Sequence, residues 1–253
     1  MSFFPGTIKS LLLFFLLINS VGYAQTKAVI QNLYTTNFFY SSSIEGNSIH
    51  QADSIANTTG IARHFAGIYK LFMENISLQL KNADSTTQRF VTKFEKGFID
   101  YFLKACIAYK NGNLPPESDW NCYFSHPDAQ TWQTVLLGVN VHVNSDMWQA
   151  LVANFNETEI RHYKNQFLGL QPSIVKGYSS FFDTVMTQNN YLKFINSFTI
   201  GFAKIIGERI LYKWRRRSVH LAILYYHDPT KFEKKLVSVK RKKQKIDKII
   251  LRW

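Results

Sequence analysis

The chain predicts an all-α protein: a single-domain bundle of about seven helices around a buried central helix at residues 131–155. Three observations predict it. Apolar residues recur at intervals of three and four along most of the chain, the period of an amphipathic helix rather than a strand. Cap and turn residues, among them Asn82-Ala83-Asp84-Ser85, Asn111-Gly112-Asn113 and Asp228-Pro229, separate these runs. The aromatic content of 15%, with 21 Phe and 13 Tyr, is enough to fill one sizeable core.

In chain order, Lys9 is the only charge ahead of the apolar run Leu11 to Ile18, and Gly22-Tyr23-Ala24 offers small residues to a signal peptidase. Residues 1–24 therefore read as an export signal, and the protein as periplasmic or secreted. The apolar run is short for a membrane span. Residues 25–230 form the helical domain and 231–253 a basic amphipathic C-terminal helix. Within the domain, Val29, Ile30 and Leu33 open a first helical run, and SSSIEGNS reads as a loop. From Gln51 the pattern predicts one long helix to about Lys81, carried by Ile61, Phe65, Ile68, Tyr69, Phe72 and Ile76, with Gly60 weakening its early turns. Asp84 or Ser85 caps the next helix, whose stripe includes Phe90, Phe94, Phe98 and Phe102. Gly112 suits a left-handed C-cap, and Pro115-Pro116 forbids continuation.

The following loop carries Trp120, Tyr123 and Phe124, which are expected to tuck back onto the body. Asn156 to Glu159 caps a helix to about Phe167. Gly169 to Pro172 breaks it, and helical spacing resumes at Ile174. A last pair runs from Tyr191 to about Tyr226 and from Thr230 to Trp253. Cys106 and Cys122 are the only cysteines, and a disulfide and two free thiols both stay open.

Charge is distributed unevenly. The net charge is +13, and from residue 209 onward fifteen Lys and Arg face three Asp and Glu, which leaves residues 25–208 neutral. That describes a basic appendage on a neutral body. Arg215, Arg216, Arg217, Lys240, Arg241, Lys242 and Lys243 are the candidate contacts to an anionic membrane surface or a polyanion. Phe232, Leu236, Val239, Ile246, Ile250 and Trp253 share a stripe on the last helix, which could lie on lipid or close the bundle with its basic face in water. A lone basic helix carries no base-reading logic, so sequence-specific nucleic acid is not expected.

The central segment places Asn140, His142, Asn144 and Asp146 inside the most apolar part of the chain. Burying such groups costs a few kcal/mol each unless they are paired. Val139, Val141 and Val143 alternate with them as in a strand, but both flanks carry helical spacing with no turn between, which favours one helix. In a helix Asn140 and Asn144 share one face, and His142 and Asp146 another about 200° away. His142 and Asp146 are the candidate acid/base pair or, with His64 as a third donor, ligands of a divalent metal such as zinc. Asn140 and Asn144 are structural polar candidates. His50 with Asp53, Glu159 with His162, and His220 with His227 are further pairs that could complete a site. The competing reading is a satisfied core network in which Asp146 accepts from His142 and the asparagines bond main chain. Gly138 would let a neighbouring helix approach closely.

The run LLGVNVHVNSDMWQAL resembles the signature of a bacterial family, domain of unknown function 5995, matching it at Gly138, Asn140, His142, Asn144 and Asp146. The likeness covers roughly residues 55–155 and includes GIARHFAGIY, Trp120 and Phe124. It implies a shared fold and no particular chemistry. Leu137-Gly138-x-x-x-His142-x-x-x-Asp146 is also similar to a helix of zinc phospholipase C and the S1/P1 nucleases, where that His and Asp bind zinc in an all-α site. That likeness implies phosphoester chemistry through a metal-activated water. Met147 to Phe155, however, holds no His where that superfamily has a further ligand.

Two function classes follow. The first is an exported, metal-dependent hydrolase of a phosphoester or lipid-like substrate. The second is a non-catalytic helical binding or scaffold protein that docks on an anionic envelope surface through its basic C-terminus. No nucleophile elbow, HExxH helix, CxxC pair or Gly-rich phosphate loop is present, which weakens most enzyme classes.

Overall fold

The computed structural model describes residues 46–57, 60–187 and 202–252, and all regular structure among them is helical, with no strand. The predicted signal and the helical run from Gln25 lie outside the described residues, as do residues 188–201. The helices form one bundle, the predicted fold class.

The long helix expected from Gln51 is instead two, α1 (Gly46–Ala56) and α2 (Ala62–Leu80). The reason is local. Gly60 sits at φ 96°, in the left-handed region that a continuing right-handed helix does not visit. Helix α3 (Ser85–Lys110) starts where Asp84 Oδ1 accepts the Thr86 and Thr87 N–H groups, each at 2.9 Å, and stops at Gly112 with φ 71°. The next loop folds into a single turn, α4 (Asn121–Phe124), and buries Trp120, Tyr123 and Phe124. The Tyr123 hydroxyl donates to the Ile61 carbonyl at 2.6 Å, tying this loop to the start of α2.

Helix α5 runs from Thr131 to Asn154 with a π turn at His142–Asp146 between its two α segments, Thr131–Val141 and Met147–Asn154. The alternating valines did not make a strand, because α5 is packed on several sides by α2, α3, α8 and α9, and that burial outweighs the modest β-branched preference. Helix α6 (Glu157–Gly169) opens on a capping box between Asn156 and Glu159. Helix α7 (Gln171–Thr187) follows, then α8 (Phe202–His227) and α9 (Pro229–Leu251). Asp228 accepts the Lys231 N–H at 3.0 Å, and Pro229 occupies the first helical position.

Gly138 does what its position suggested. A Cβ there would lie 2.7 Å from the Phe65 ring, so α2 packs on α5 here only because residue 138 has no side chain. Helix α9 is part of the bundle: Phe232, Val239 and Ile250 are buried, and Gln133 Nε2 donates to the Ile250 carbonyl at 2.9 Å. Its apolar stripe is therefore spent on the protein. Two of the proposed surface contacts fall with it, since Arg215 and Lys243 are 2% and 5% exposed and face inward. Arg217 is half-buried, whereas Arg216, Lys240, Arg241 and Lys242 are exposed. No described helix is long and apolar enough to cross a membrane. Cys106 and Cys122 are free thiols, both half-buried, and burial pushes the Cys106 thiol up to about 12.

Candidate active site

The site is built around the π turn of α5. Here the Met147 N–H reaches back five residues to the His142 carbonyl, a local insertion of one residue into the helical ladder. The wider turn leaves groups for side chains to satisfy. Ser218 on α8 donates its hydroxyl to the Val143 carbonyl at 3.3 Å. Asn144 Nδ2 donates to Asn140 Oδ1 at 2.7 Å, and Arg217 donates to Asn144 Oδ1. Asn140 Nδ2 in turn donates to Asp247 Oδ1 at 2.7 Å and to the Lys243 carbonyl at 3.1 Å, while Lys243 Nζ holds Asp247 Oδ2 at 2.9 Å. The asparagine face is thus a buried strut that joins α5 to α8 and α9.

The opposite face carries the dyad. His142 Nδ1 and Asp146 Oδ2 are 2.9 Å apart, and the Trp120 indole N–H donates to the same carboxylate oxygen at 3.0 Å. All three residues are buried, and the imidazole stacks on Phe98 with ring centroids 3.5 Å apart. Clamped this way, the ring has one orientation. Its other nitrogen, Nε2, is buried without a hydrogen-bond partner among the described residues. An orphan of this kind is rare enough in a packed core to need a reason.

The reason lies beside it. A cavity of about 90 Å³ is lined by His142 but by neither Asp146 nor Trp120, the two residues on the Nδ1 side of the dyad. Its walls are almost wholly apolar. The exceptions besides His142 are Tyr69, Glu95 and Arg215. Tyr69 donates its hydroxyl to Glu95 Oε2 at 2.9 Å. Arg215 is anchored through the Phe167 carbonyl and through Gln171 Oε1 at 3.0 Å, and its guanidinium lies 4.7 Å from the Phe167 ring centre. Arg215 Nε, like His142 Nε2, is buried and unpartnered among the described residues.

Burial governs the charges here. It lifts the Glu95 carboxyl to about 7, against the opposing pull of Tyr69 and Arg215. It lowers Arg215 to about 10, which leaves the guanidinium charged at neutral pH. It drives His142 well below the usual imidazole value, so the ring is neutral, and raises Asp146 well above the carboxylate range. When Asp146 is ionised, Nδ1 carries the proton and Nε2 presents a lone pair; when Asp146 is protonated, it donates to Nδ1 and Nε2 carries the proton. When Nε2 gains a proton, the one on Nδ1 can pass to Asp146, and no isolated imidazolium need form. The dyad can therefore both accept and release a proton at Nε2.

Of the metal donors read from the sequence, the fold joins His142 and Asp146 but turns them toward each other. His64 is engaged elsewhere, its Nδ1 2.8 Å from Thr134 Oγ1, with burial lowering it to about 4. His50, His162, His220 and His227 are exposed. Among the described residues no three His, Cys, Asp or Glu side chains gather to hold an ion. The residues that sequence reasoning missed are Tyr69, Glu95, Arg215 as a cavity group, and Trp120 as the carboxylate donor. Glu95 did leave a signal: it is the charge interrupting the stripe Val91, Phe94, Phe98, Phe102.

No curated protein and no solved structure matches the chain. A family profile does, over residues 49–252, a span that holds the dyad, the asparagine strut, Glu95 and Arg215 together. The chain belongs to the family of unknown function DUF5995.

Proposed function

We propose that this protein is an acid/base hydrolase of a small ester-type substrate with an apolar body. The observation that carries the reading is the unpartnered Nε2 of His142, held at a cavity by the Asp146–Trp120 clamp and sharing that cavity with Glu95 and Arg215. In this reading His142 takes a proton from water as the water attacks the substrate carbon or phosphorus. Arg215 stabilises the negative charge that develops on the substrate oxygen, and Glu95, protonated in part near neutral pH, donates to the leaving oxygen. The predicted metal-dependent form is not carried forward, because the third donor, His64, is bonded to Thr134 and Asp146 is committed to His142 and Trp120. Purified protein assayed on p-nitrophenyl esters and on bis-p-nitrophenyl phosphate tests the proposal. His142→Gln should lower the rate by about 10²–10⁴-fold with the fold retained by circular dichroism. An unchanged rate would overturn it.

A second, compatible element concerns place. The solvent face of α9, with Lys234, Lys235, Lys240, Arg241, Lys242, Lys245 and Lys248 exposed, supports docking of the exported protein on an anionic lipid surface. Because the apolar stripe of α9 is buried in the bundle, this contact is electrostatic, without insertion.

A further inference from the structure

We infer, building on the docking reading above, that the protein meets an anionic lipid surface through a face three helices wide, formed by α6, α8 and α9, with the exposed side of α8 at its centre. Two antiparallel registers set this face. Along α6, Glu157 Oε1 lies 3.8 Å from His227 Nδ1 of α8, Arg215 of α8 donates to the Phe167 carbonyl, and just beyond α6 Gln171 Nε2 donates to the Glu208 carbonyl at 3.3 Å. Lys164 is seven residues on from Glu157 and His220 seven back from His227, so the two lie level. Helix α9 returns along the other flank of α8, with the Tyr225 and Phe232 rings 5.3 Å apart near the turn. That brings Lys235 beside His220 as well. The electrostatics agree, since the His220 imidazole is lowered first by partial burial and then by Lys235 and Lys164.

Between these flanks α8 exposes Arg209, Lys213 and Arg216, one turn apart, and Lys242 continues the Lys235 stripe two turns further along α9. All six cations are exposed and form no ion pair among the described residues. The carboxylates at the end of the face are taken, Glu157 by Arg161 at 2.6 Å and Asp228 by Lys231 at 2.9 Å. Glu233 lies about 200° round α9 from Lys235. From Arg209 to His220 is about 16 Å, and three helices set roughly 8–10 Å apart make the face about 20 Å across. Cations spread over an area match a sheet of headgroups, whereas a chain-like polyanion is met along a line. Tyr212, 37% exposed with the Arg216 guanidinium 5.9 Å from its ring centre, adds an apolar ring with a polar tip, which suits the headgroup level of a bilayer.

Flotation of the purified protein with vesicles of phosphatidylglycerol in phosphatidylcholine, at low salt, tests this. Lys164→Gln on α6 and Arg216→Gln on α8 should each weaken binding about fivefold, and together about 25-fold. Their urea unfolding should match wild type, because both side chains are exposed. Lys240→Gln, on a side of α9 turned away from α8, should weaken binding less than either. Losses confined to α9 variants such as Lys240→Gln and Lys248→Gln would overturn the three-helix face and keep docking through α9 alone. Wild-type protein that binds these vesicles no better than pure phosphatidylcholine would remove both readings. Duplex DNA bound as tightly as the vesicles, with the same losses in Lys164→Gln and Arg216→Gln, would overturn lipid as the partner.

Discussion

Glu95 shows how position alone can set the chemistry of a residue. Its folded value of about 7 stands above the ordinary carboxyl value of 4.5, so the folded state holds a proton that the unfolded chain has already released. Its contribution to stability is therefore largest below about pH 4.5 and is lost as pH rises toward 7, by about 3 kcal/mol in total. His142 and His64 act in the other direction. Both are lowered by burial, so their contribution is present above the unfolded imidazole value and is lost as pH falls below it. Glu95→Gln removes the first slope and leaves the second. Urea unfolding of wild type and variant from pH 4 to 8 should show their stability difference changing by that amount; a constant difference would contradict a buried, proton-holding Glu95. At this scale the sequence was legible where two partners share one helical face. His142 and Asp146 were readable from an i,i+4 spacing, whereas Tyr69, Glu95 and Arg215 come from three different helices and share no local pattern.

Among the elements, α5 was recognisable as one helix from the spacing of its flanks, but its π turn was not. A π turn arises when surrounding side chains satisfy the backbone groups it loosens, and here Ser218 of α8 donates to the Val143 carbonyl. The break between α1 and α2 shows a related limit, since a glycine is compatible with a continuing helix and the left-handed φ of 96° that Gly60 adopts is visible only in the structure. Gly138 is the opposite case, a glycine whose purpose in packing was apparent from sequence. Gly138→Ala would press a methyl group into the Phe65 ring at 2.7 Å, and chemical denaturation should report a loss of about 1–3 kcal/mol. Full stability in Gly138→Ala would mean that α2 and α5 are further apart than described.

Across the whole molecule, the basic C-terminal third separates into two populations that sequence composition merges. Lys242 is exposed, while its neighbour Lys243 is buried against Asp247 at 2.9 Å. Lys242→Gln should weaken binding to anionic vesicles about fivefold, near 1 kcal/mol, at low salt and leave stability alone. Lys243→Met should leave Asp247 buried without its cation and destabilise the fold by about 3–5 kcal/mol. Equal effects of the two substitutions on both readouts would refute this division of the helix.

What the sequence determined by itself is whatever depends on near neighbours: the helical class, most caps and breaks, the family signature, and the i,i+4 pairing of His142 with Asp146. Only the tertiary structure decided which charges are buried, that Trp120 completes the dyad from a loop 26 residues away, and that Glu95 and Arg215 meet His142 at one cavity. Helix periodicity follows from bonds and contacts within a few residues. Desolvation and convergence depend on how separate helices cross, and no local spacing encodes that.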